Sequence, residues 1–216
     1  SDALRATLAR LLVLHEEPDA ALSLLQSKEF FIAESNAELI DLYRETKLSQ
    51  GLLFLKKGQT TSATAVLLEA GKLPGTIAAS DFERPVVPKL AYYQGYALWL
   101  RGDGEVARKV WQKIAEMTGL EGEDAYYAGR ALDRLGQRER AKVIFDSLAA
   151  RSSSPGETRR AQARAHYLQG LGRAGRGQSE AARAAFQQAL RFDATLIAAK
   201  RQLIELELPR DRPNIR

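Results

Sequence analysis

The sequence has no cysteine among its 216 residues. That excludes disulfides and every cysteine-ligated metal centre. Histidine is almost as scarce, with only His15 and His166, too few for most catalytic or metal constellations. No apolar run approaches the ~18–20 residues that cross a bilayer. The longest are short stretches such as Leu11–Leu14 and Gly51–Leu55. The N-terminus lacks the basic, apolar and small-residue order of a signal peptide. These absences point to a cytoplasmic protein, although a bridge-free periplasmic one would look the same. The chain opens on Ser1, as a processed form or an excised piece of a longer protein would.

What is present is ordinary in amount: 45% apolar, 7% aromatic and 27% charged residues. The formal charge of +5 and the pI near 9.5 raise the question of nucleic acid. The charge is unevenly placed. Residues 1–100 carry a net −2, residues 101–150 a net 0, and residues 151–216 a net +7. Only the last third is basic. Its arginines, Arg159, Arg160, Arg164, Arg173, Arg176 and Arg183, fall on several helical faces. A phosphate-binding surface gathers them on one. The expectation is a solvated surface and no nucleic-acid partner.

An internal period organises the chain. Gly95, Gly102, Ala107 and Trp111 share their spacing with Gly129, Gly136, Ala141 and Phe145, 34 residues on. Gly170, Gly177, Ala182 and Phe186 repeat it after 41. The surplus falls around Ser152–Gly156, a loop-like insertion. Gly51, Gly58, Ala63 and Leu67 keep the spacing with leucine for the aromatic. Ala9, Glu16, Ala21 and Leu25 keep it with both glycines lost. Apolar residues recur at three and four within each copy, as on one face of a helix.

This pattern resembles the tetratricopeptide repeat (TPR), a helix–turn–helix unit of 34 residues. The resemblance covers nearly the whole chain. It implies an all-α, TPR-like solenoid over 1–208 of about five helix–turn–helix repeats, near 2–34, 44–72, 88–121, 122–155 and 163–196. A capping helix over 195–208 solvates the end, and a frayed tail follows at 209–216. Ser35-Asn36-Ala37-Glu38 reads as a capping box opening a long helix to about Lys57. The first glycine of each copy sits mid-helix at a cost of ~1 kcal/mol. It is expected to touch the alanine twelve residues later, where paired helices cross. The second glycine ends the first helix in a left-handed conformation.

The resemblance also assigns a groove. In such repeats the first helices line the concave side. The family's groove-facing places carry over to Tyr92, Tyr126 and Tyr167, to Tyr96 and Arg130, to Trp99, to Arg134, and to Lys89, Glu123 and Arg164. The candidate partner-binding residues are Tyr92, Tyr96, Trp99, Tyr126, Arg130, Arg134, Arg164 and Tyr167. Tyrosine, tryptophan and arginine anchor interfaces because they bury large rigid area behind a polar tip. The other reading of the tyrosines is packing between adjacent first helices.

Nothing points to chemistry. His15 lies among Glu16, Glu17 and Asp19 at a turn, the setting of a solvated acidic loop. His166 falls where the family packs a bulky side chain. The run Gly170–Gly175 follows no strand and lacks the lysine of a phosphate loop. No nucleophile–base pair and no metal spacing occur. The expected function is therefore a non-catalytic scaffold that needs no cofactor and no membrane. Its partner would be a protein or peptide, or a domain of the same parent chain. Self-association as a homodimer through the end repeats is a further expectation. A looser resemblance, to the helical C-terminal region of large bacterial proteins with a β-rich domain, implies an alternative: an accessory region of a carbohydrate-related enzyme.

Overall fold

The computed structural model describes residues 2–27, 30, 36–75, 77, 86–152 and 156–208. Among these, every regular element is a helix: α1 (Asp2–Leu14), α2 (Pro18–Gln26), α3 (Asn36–Lys56), α4 (Thr60–Glu69), α5 (Pro88–Leu100), α6 (Gly104–Ala115), α7 (Gly122–Arg134), α8 (Arg138–Ala149), α9 (Arg159–Gly175), α10 (Ser179–Phe192) and α11 (Ile197–Leu206). Successive helices pair into hairpins, and each hairpin packs on the next. Ser35 of the proposed capping box and the tail 209–216 lie outside the described residues.

One turn is used five times. At the end of α3, the Gly58 amide donates to the Leu55 carbonyl and Gln59 to Phe54, both at 2.9 Å. Gly102 and Asp103, Gly136 and Gln137, and Gly177 and Gln178 repeat the pair of bonds. This is a Schellman ending, which needs a left-handed residue. Gly58, Gly102, Gly136 and Gly177 supply it, with φ between +73° and +95°. In the first hairpin Glu16 and Glu17 make the same two bonds. Glu16 adopts φ +64° despite its side chain. The same turn forms here without glycine.

The mid-helix glycines do mark close crossings, and the atoms nearest to them belong to a larger side chain than the alanine. A Cβ on Gly95 would lie 2.5 Å from the Trp111 ring, on Gly129 2.7 Å from Phe145, and on Gly170 2.5 Å from Phe186. On Gly51 it would lie 2.6 Å from Leu67. The glycine is a notch for the large side chain sixteen residues later. A flat ring lying on bare backbone fills the crossing, and the alanines are buried beside it. The run Gly170–Gly175 is explained in the same terms. Gly172 lies against the backbone of Phe145 and Ala149 in α8, and Gly175 against the Phe145 ring.

The last helix departs most from expectation. It does not cover the end of the array as a solvated cap. It packs on α3 and α10, touches α1, and bonds to side chains of α5 and α7. Ala199, Arg201, Gln202 and Ile204 are all buried. Ile197 joins the apolar cluster of α1–α3, while Ala199 and Ile204 join the larger cluster of the later repeats. The array curls around α11, which ties its first repeat to its last.

Candidate partner-binding groove

Three of the sequence-assigned groove tyrosines stand in a row on consecutive first helices: Tyr92 on α5, Tyr126 on α7 and Tyr167 on α9. All are buried. Their offset brings a second pair with it, Tyr93 and Tyr127. The hydroxyls of that pair lie 3.4 Å apart. This second pair lies outside the groove places that the resemblance assigns, although the doubled tyrosine recurs at the same offset of 34 residues.

Arg201 of α11 enters the space between these rings, and its side chain is 0% exposed. Its Nε donates to Glu45 on α3 at 2.6 Å. One terminal nitrogen donates to the Tyr93 and Tyr127 hydroxyls, at 2.9 and 2.6 Å. The other donates to Glu123 on α7 at 2.8 Å. Lys89 bridges the same two carboxylates. The Tyr167 hydroxyl donates to Glu123 at 2.5 Å. Gln202 donates to Tyr127 at 3.1 Å.

One turn further along α11, Glu205 forms a second centre. It accepts from Tyr93 at 2.6 Å and from Arg130 at 2.9 Å. Arg130 also donates to Tyr126 at 2.8 Å and to Tyr92 at 2.7 Å. Three cations, Lys89, Arg130 and Arg201, thus face three carboxylates, Glu45, Glu123 and Glu205. A buried ionic group is tolerated when its partners are this complete.

The electrostatics follow from burial and pairing. Burial alone would raise the Glu45 carboxyl, but Arg201 and Lys89 outweigh it and hold the group at about 2. Burial likewise opposes ionised Glu205, and Arg130 with the Tyr93 hydroxyl bring it below its usual range. Lys89 is raised against its burial by Glu123 and Glu45. Burial pushes Tyr126 up to about 12, with Arg130 pulling the other way. Tyr93 and Tyr127 are raised well above the usual phenol, mainly by burial.

A second aromatic–arginine cluster joins α5, α6 and α7. Tyr96 and Trp99 stack at 5.8 Å and 18°. The Arg134 guanidinium lies 5.0 Å from the Tyr96 ring, 5.2 Å from Trp99 and 5.7 Å from Trp111. These three side chains are half-buried. Arg164 is exposed and stands apart from them. The eight candidates therefore divide. Arg130 bonds to Glu205 of α11, Tyr92 and Tyr126 bond to Arg130, and Tyr167 bonds to Glu123, while Tyr96, Trp99 and Arg134 form a separate half-buried cluster.

His166 stacks on Phe192 at 5.4 Å and 9°, half-buried. His15 lies in the first turn. Among the described residues no group of three or more His, Asp or Glu could hold a metal ion. No helix there is long and apolar enough to cross a membrane.

Repeated hairpins, one shared turn, and rings seated in glycine notches define the class: an all-α, TPR-like repeat protein. No protein-family model and no curated protein matches the chain. Solved structures with likeness to it include forms of MamA. One, MamA 41-end from Desulfovibrio magneticus RS-1, is 25% identical, with 72% of this chain and 76% of that chain covered and a TM-score of 0.27. A double mutant of MamA RS-1 is 24% identical, with 70% and 76% covered and a TM-score of 0.29. MamA AMB-1 is 20% identical, with 89% and 92% covered and a TM-score of 0.31. The resemblance to large bacterial proteins with a β-rich domain has no counterpart in these comparisons.

Proposed function

We propose that the protein is a non-catalytic interaction scaffold whose groove, lined by its first helices, holds a helix or extended segment of a protein partner. One observation carries this reading: the first-helix side already holds a helix, α11, through paired charges and aromatic rings rather than through apolar packing alone. A surface that can seat one helix by such chemistry can seat another. Tyr96, Trp99 and Arg134, all half-buried, supply the anchors. Arg-on-aromatic contacts of this kind are strong when water is excluded.

The test is site-directed photocrosslinking in cells. A photoreactive residue at Trp99 is expected to capture a defined protein. The same residue at Val143, which is 71% exposed on the second-helix side, is expected to capture none. Capture at Val143 alone, or at neither position, would sink the reading.

A further inference from the structure

The joint between α11 and the first helices is built around buried charge. Within each hairpin a ring or a leucine lies on glycine backbone, and an apolar cluster runs on through the later repeats. Under α11, the central contacts are ionic and phenolic. Lifting α11 away would return Glu45, Lys89, Glu123, Arg130 and Arg201 to water. Charges gain back their hydration when this happens, so a buried ionic network stands near break-even against solvent. Opening would also expose Ile197, Ala199 and Ile204, at ~25 cal/mol per Å² of apolar surface, so the apolar contacts hold α11 down while the ionic ones add little net. The link from α10 to α11, residues 193–196, is short and closed by Asp193, whose side chain accepts from the Thr195 amide and hydroxyl at 2.9 and 2.7 Å. α11 is the last described helix and belongs to none of the hairpins, so its departure would leave every hairpin paired.

The seat it leaves is polar in two halves. Around the Arg201 position stand two carboxylates, Glu45 and Glu123, against one ammonium, Lys89. Around the Glu205 position stands Arg130, with Arg134 one turn further along the same helix. A helix that fits must present a cation over the first half and a carboxylate one turn later, since side chains at i and i+4 share a face. Apolar residues must flank them, as Ile197 and Ile204 do on α11.

Resting on the scaffold reading, we propose that α11 is an exchangeable intramolecular ligand. The groove's external partner is then a protein helix carrying arginine or lysine followed four residues later by glutamate or aspartate. α11 competes with that helix and keeps the groove shut until it arrives.

The test begins with the wild-type chain. In native-state hydrogen exchange, the α11 amides should exchange through a local opening, faster than the amides of α5 and α7. Exchange of α11 only with global unfolding overturns the proposal. A labelled peptide of residues 195–208 is then added in trans. It should bind the full-length R201A/E205A protein at least tenfold more tightly than the wild type. The same peptide with Arg201→Glu and Glu205→Arg should not bind. Equal binding of both peptides overturns the charge assignment. Wild-type chains that associate by exchanging α11 as concentration rises would make a second copy the occupant, and would overturn the partner-helix proposal. The two readings fail separately. If α11 opens and the peptide binds but crosslinking at Trp99 finds no partner, the scaffold reading falls and the groove chemistry stands.

Discussion

Arg201 of the last helix donates to Glu45 of the third at 2.6 Å, across 156 positions of sequence. The bond closes the array on itself. Glu45 sits on α3, Arg201 on α11, and Lys89, Tyr93, Glu123, Tyr127 and Tyr167 complete the shell from α5, α7 and α9.

Truncating that arginine should be severe. Arg201→Ala leaves buried Glu45 and half-buried Glu123 short of a cation, Tyr93 without its arginine donor, and Tyr127 with Gln202 alone. Breaking a buried ionic network by removing one partner costs about 3–5 kcal/mol. Arg201→Lys should recover less than half of that, because one ammonium cannot serve four acceptors in fixed directions. Urea unfolding midpoints of the three proteins decide it. A loss below about 1 kcal/mol for Arg201→Ala would show that the centre is solvated.

Acid should unfold the protein through Glu45. Its folded carboxyl is depressed from 4.5 to about 2. A depressed carboxyl stabilises the fold above its unfolded value and loses that contribution as pH falls. The loss runs from about pH 4.5 down to about pH 2, and amounts to roughly 3 kcal/mol at 1.36 kcal/mol per unit. Glu45→Gln should be less stable at pH 7 and should flatten the acid limb. Thermal melts between pH 7 and pH 2 read both.

Alkali should act through the tyrosines. Tyr126 is raised from 10.0 to about 12, so the folded state keeps its proton longer than the unfolded one. Stability then falls as pH climbs from about 10 to about 12. Tyr126→Phe should remove part of that slope. An unchanged slope would move the alkaline transition to other groups.

Glycine-to-alanine substitutions should rank by what the new methyl meets. Gly172 faces the α8 backbone, which has no rotamer to yield, so Gly172→Ala should cost several kcal/mol. Gly129→Ala meets the Phe145 ring and should cost about 1–3 kcal/mol. Gly104, in the first turn of α6, meets nothing within 4 Å. Gly104→Ala should be neutral or stabilising by a few tenths to ~1 kcal/mol. A different order in chemical denaturation would contradict the packing described.

The first turn allows a backbone experiment. Glu16 holds φ +64° and pairs with Lys200 at 2.9 Å and Lys56 at 3.9 Å. Glu16→Gly and Glu16→Ala lose the same two partners. They differ in the left-handed conformation, which alanine tolerates poorly, so Glu16→Gly should be the more stable by about 1 kcal/mol. Equal stabilities would mean the turn relaxes.

Much of this protein could be read in the chain. The spacing of Gly95, Gly102, Ala107 and Trp111 and its recurrences located the hairpins, the shared turn and the buried stripe, because those depend on contacts within about 34 residues. The row of Tyr92, Tyr126 and Tyr167 was legible for the same reason. What the row does was not. The spacing left open whether its rings faced a partner or packed in the fold, and Tyr92 and Tyr126 share an arginine that bonds to a helix from the far end of the chain. One signal was available. Ile197, Arg201 and Ile204 fall at i, i+4 and i+7, so an arginine occupies an apolar stripe. A residue so placed must either break the stripe or find buried carboxylates, and nothing local says which. Local spacing determined the repeat; the superhelical curl, which sums small rotations over every hairpin, decided that Glu45, Glu123 and Arg130 would converge on Arg201 and Glu205.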